Sequence, residues 1–184
     1  MAADIDKPEK TARLNVLVVV DTAYVKSTYG PNGHTTEPHA IGSEGQFMIC
    51  PGARAVHARG AHELRLKAGI GDRVAVRVTS ICANAGDAVI AYGFTHASGT
   101  KAFGHFEQVV QVRAGAVRPD PDSPYRNGLP PIESAADFTS FDSIVVRRGI
   151  ERLRLAFALY VVSSNGQAQR PFGYYAWNPT ISIE

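Results

Sequence analysis

The chain has little of what several function classes require. It holds two cysteines in 184 residues, Cys50 and Cys82, each inside an apolar segment. That excludes a disulfide-stapled scaffold and points to buried free thiols in a reducing compartment. Basic runs are missing: 19 Lys and Arg stand against 17 Asp and Glu, a net charge of +2. These residues are scattered, so no nucleic-acid partner is expected. The apolar run "LNVLVVV" is far shorter than the roughly 20 residues needed to cross a bilayer. The opening "MAADIDKPEKTAR" is acidic and polar where a secretory leader would be basic and then apolar. The expectation is a cytoplasmic protein without a membrane partner. No G-x-S-x-G, no glycine-rich turn behind the first strand and no zinc-type Cys/His spacing occur, which removes the usual signals for a serine hydrolase, a dinucleotide fold or a zinc module. His34 and His39, like His57 and His62, read as surface or turn residues, with partial burial beside strands the alternative for His57 and His105.

What the chain does have is period-two patterning. In "RVAVRVTSIC" Val74, Val76 and Val78 alternate with arginines and small residues, and Cys82 falls in the same phase, so it is expected to face the core. In "ERLRLAFALYVV" Leu153, Leu155, Phe157, Leu159 and Val161 alternate with Arg152, Arg154 and small residues. Asn165-Gly166 then supplies a tight turn into the aromatic run "RPFGYYAW", which predicts a C-terminal hairpin. Further strands are expected over residues 14–20, 46–50, 63–67, 88–95, 106–113, 143–147 and 180–183. The one helical signal is "ESAADF" after a Pro-Pro pair. Residues 26–45 and 114–131 read as two long loops, which are uncommon in a compact domain unless functional or mobile. The fold class that follows is all-β. It is an antiparallel β-sandwich, jelly-roll or immunoglobulin-like, with at most one short helix. Residues 1–12 read as a flexible N-terminal segment and 13–184 as a single domain.

Three blocks carry a resemblance that spans Leu14 to Glu184: "LNVLVVVDTAYV", "VTSICANAGDAVIAYGF" and "FGYYAWNPTISIE". Their order and spacing resemble the AidA/PixA inclusion-body protein family of bacteria. The family pattern has Ser at Cys82, a more acidic step at Ala85-Gly86 and often Asp at Asn178. The resemblance implies a soluble bacterial protein, linked to quorum sensing or stationary phase, associated with host interaction and in some members with inclusions. It brings no catalytic residue.

Candidate site residues come from two groups. Asp21, at the end of the first strand, and Asn84 and Asp87, between two strands, are hard oxygen donors that could hold Ca²⁺ from separate loops. The same Asn84-Ala85-Gly86-Asp87 step is also explained as a turn or bulge, with Asp87 accepting backbone N–H groups. Tyr24, Tyr29, Trp177 and Asn178 form the second group, a stacking platform for a sugar or an anchor for an interface. Trp177, where the strand bends before Asn178-Pro179, is expected half-buried; Tyr174 and Tyr175 must point to opposite faces. No catalytic set emerges and no cofactor beyond a calcium ion is suggested. The reading is a non-enzymatic accessory protein, homo-oligomeric and acting through self-association and host interaction. The alternative is a metal-assisted carbohydrate- or small-ligand-binding module.

Overall fold

The computed structural model describes residues 11–52, the backbone of 55–57, and 62–184; the expected flexible segment lies largely outside these, although Ala12 is tied in by its N–H to Asp72 Oδ1 at 2.7 Å. The first strand, β1 (Arg13–Val20), buries every second residue. Directly after it comes the helix α1 (Thr22–Tyr29), in a region where no helix was expected. Its signals are local. Asp21 caps the N-terminus by accepting the Tyr24 N–H at 3.0 Å, and Gly30, at φ +67°, returns its N–H to Lys26 O at 3.2 Å. Short strands follow: β2 (His39–Ala40), β3 (Gln46–Ile49), β4 (Ala55–His57) and β5 (Glu63–Leu66). Long ones complete the chain: β6 (Arg73–Ser80), β7 (Ala88–Gly99), β8 (Glu107–Arg118), β9 (Ile132–Ile144), β10 (Gly149–Val162), β11 (Gln169–Trp177) and β12 (Thr180–Ile183).

The segment "ESAADF", expected to be helical, lies in β9 and pairs with β8. Its two alanines favour a helix only weakly, and a ladder running from Glu107↔Asp142 to Arg118↔Ile132 outweighs that preference. The second expected loop shortens accordingly to residues 119–131, because β8 continues to Arg118.

The strands form two sheets. The first runs β3-β1-β6-β9-β8. In the second, β10 is central: β7 pairs along one edge, while β11 and β12 share the other, at Leu155–Val162 and Gly149–Arg152 respectively. β11 and β12 are thus one strand track, interrupted at Asn178-Pro179, where Pro179 O still accepts the Leu153 N–H at 2.9 Å. β2 pairs with β11, β5 with β12, and β4 with β5. The sheets are mixed rather than purely antiparallel. β1–β6, β2–β11 and β5–β12 are parallel, since each pair is joined by a long excursion through other elements instead of a hairpin.

The core lies between the sheets. Val74, Val76, Leu153, Leu155 and Phe157 are all buried, as the alternation predicts, and meet Val16, Val18, Tyr175 and Trp177; Val78 is half-buried. Cys82 does not follow its phase. β6 ends at Ser80, and a turn with positive φ at Ala83 and Asn84 places Cys82 in solvent. Cys50 is buried, and both thiols are free.

Candidate functional site

The residues considered for a cation lie at one end of the sandwich, where β1, β6, β7 and β10 end or begin. Each is engaged there in a tie of the fold. Asp21 caps α1. Asn84 closes the turn: its Oδ1 accepts the N–H groups of Ser80 and Val89, both at 3.0 Å, and its Nδ2 donates to Val89 O. Asp87 accepts the Val162 N–H at 3.2 Å and meets the Lys26 ammonium at 2.5 Å. Burial alone would push its carboxyl up. Lys26, the Val162 N–H and the Thr22 hydroxyl outweigh burial and hold the group below the ordinary carboxylate range. From the start of β11, Gln169 donates to Asn84 O and Gly86 O. The step between the two apolar strands is therefore a clamp that ties the helix, the β6–β7 turn and the β10–β11 hairpin together. The positive charge beside Asp87 is the protein's own lysine. Among the described residues no group of three or more His, Cys, Asp or Glu is placed to hold a metal ion.

The aromatic residues do not share one surface. Tyr24 and Tyr29 pack edge to face at 6.4 Å on α1, and the Tyr29 ring lies 5.7 Å from His39. Tyr24 donates to Glu44, whose carboxylate pushes the phenol up, and Tyr29 Oη accepts the Gly42 N–H. Gly45 at φ +80° lets the backbone pass the Tyr24 ring, which a Cβ would meet at 2.6 Å. Trp177, expected half-buried, is only 1% exposed, so it belongs to the core; Asn178 beside it is half-buried. Tyr175 is buried and donates to Gly30 O, while Tyr174 is half-buried. Together with Asn32, whose carboxamide pairs with both the N–H and C=O of Tyr174, these contacts lash residues 30–42 along the outer edge of β11.

A polar centre that no motif announced sits on β10. Glu151 is 2% exposed. One of its oxygens accepts the N–H groups of Ala102 and Phe103, at 2.6 and 2.9 Å; the other meets His96 Nδ1 at 2.9 Å. The pair borders a cleft of about 360 Å³ walled by Phe94, Phe103 and Phe106, with Lys101 and His105 also lining it. His105, for which partial burial is the alternative, is exposed. A carboxylate at Nδ1 takes that nitrogen as its donor and fixes the orientation of the ring. The sequence did hold one signal: Glu151 occupies the inward phase of β10, two residues before Leu153. An acid at an inward position must find partners.

These features define a class: a two-sheet β-sandwich whose polar centres anchor loops. The particular family is given by comparison. Residues 12–183 match the PixA inclusion body protein model, and the chain belongs to that family. It is similar to the crystal structure of an inclusion body protein (PixA) from Burkholderia cenocepacia J2315, at 26% identity and a TM-score of 0.75, over 98% of this chain and 100% of that one. No curated protein matches the chain.

Proposed function

We propose that the protein is a non-enzymatic accessory protein that works by self-association. One observation carries this reading. Among the described residues, the core-facing side of the first sheet continues past the second sheet with nothing over it. β9 pairs with β6 only through residues 141–144, whereas β8 and β9 pair with each other to their far ends. On the side that Phe141 shares with the core, Val110, Val112 and Val117 stand 56%, 70% and 70% exposed, opposite Thr139, Asp137 and Glu133. Uncovered valines aligned on a sheet face are a surface for another protein, and membership of an inclusion-body family favours a further copy of the same chain.

Sedimentation velocity over a broad concentration range tests it. The wild type should show a concentration-dependent rise in mass, and Val112→Asp with Val117→Asp should remain monomeric and folded. A wild type that stays monomeric at the highest concentration overturns the reading. A small-ligand role is favoured by the cleft beside His96 and Glu151; thermal-shift screening of small organic ligands should then give stabilisation in the wild type that His96→Ala removes.

A further inference from the structure

The open edges of the sandwich differ in how well they are protected. β3 is short, at four residues. β11 is covered by β2 and the lashed loop, and β5 by β4. β7 is long, but its ladder with β10 is broken twice by register shifts, a device that discourages edge pairing. β8 has none of these protections over its first seven residues. From Glu107 to Arg113 its register with β9 is unbroken, and its irregularity begins only after Arg113. No backbone hydrogen bond from residues 107–113 leads anywhere except to β9 among the described residues.

The sequence of that stretch, "EQVVQVR", carries opposite charges at its two ends and is therefore charge-complementary to itself when reversed. We infer that β8 pairs antiparallel with β8 of a second copy about a two-fold axis at Val110, which sets Glu107 of each chain opposite Arg113 of the other. This rests on the self-association reading above and names its surface. In that register Val110 meets its own copy, Gln108 meets Val112, and Val109 meets Gln111. Every facing pair lies on the same side of the sheet, as an isologous contact requires. Val110 and Val112 from both chains then form one apolar stripe on the overhanging face. Moving the axis by one residue either way leaves Arg113 without an acidic partner. Within one chain neither Glu107 nor Arg113 has an ion-pair or side-chain hydrogen-bond partner among the described residues. Both charges are thus available to the contact.

The register predicts an exchange of charges that can be read in solution. Glu107→Arg alone and Arg113→Glu alone each place like charges opposite one another twice, and each should weaken dimerisation about tenfold or more. Mixing the two variants in equal amounts should restore a dimer, because only the mixed pair is complementary at both ends. Sedimentation of the full-length wild type, each variant and the mixture reads all of these. If the wild type associates and both variants associate equally well, or the mixture does not recover, the register is wrong and self-association proceeds by another face. If the wild type never associates, both the register and the self-association reading fall.

Discussion

β8 and β10 look alike as sequences and have opposite fates. Both set apolar residues two apart between polar ones, Val110 and Val112 beside Gln111 and Arg113 in β8, Leu153 and Leu155 beside Arg152 and Arg154 in β10, and either could be taken for a strand with one wet face. In β10 the alternate side chains Leu153, Leu155, Phe157 and Leu159 are completely buried, because β7 flanks one edge, β11 and β12 the other, and the first sheet lies across the face. In β8, Val110, Val112 and Val117 stand in solvent, because the second sheet stops short of them. Alternation specifies that a strand has an apolar side. It does not specify that the chain itself supplies the cover.

The sharpest way to break that contrast is truncation. Leu155→Ala should cost about 2–5 kcal/mol of folding stability by urea denaturation, since it leaves a cavity at a fully enclosed site. Glu151→Ala should cost roughly 3 kcal/mol, because the Ala102 and Phe103 amides lose the acceptor that satisfies them. Amide exchange over residues 100–106 should rise in that variant. Asp87→Asn should cost about 1 kcal/mol near neutrality. The sign with pH follows from its lowered titration. The contribution is complete above the ordinary carboxylate range and fades as pH falls through the still lower value of the folded state, so wild type and variant should converge below about pH 4. Val112→Ala should change monomer stability by less than about 0.5 kcal/mol while weakening association. A loss at Val112 comparable to that at Leu155 would erase the distinction between the two strands.

The strands and the two-sheet core were legible because burial on one face writes a period of two into the sequence. The helix was missed although its caps, Asp21 and Gly30, bracket it, since eight residues with only two buried carry almost no helical periodicity. Parallel pairings were invisible because strand order depends on contacts between distant segments. Cys82 shows the limit of phase counting: the alternation is correct up to Ser80 and has no meaning once the chain turns. Glu151 shows the opposite case, an inward acid whose partners, His96 and the 102–103 amides, come from more than 45 residues away.

The split strand track beside β10 has a consequence for synthesis. Among the described residues β5 is held to the second sheet through β12, and β4 only through β5. As the chain emerges, residues 63–66 must wait until 180–183 have been made before their parallel partner exists. Leu64 and Leu66, which end up fully enclosed, lack the strand that completes their layer until then, so a ribosome stalled before Thr180 would leave the second sheet half-built.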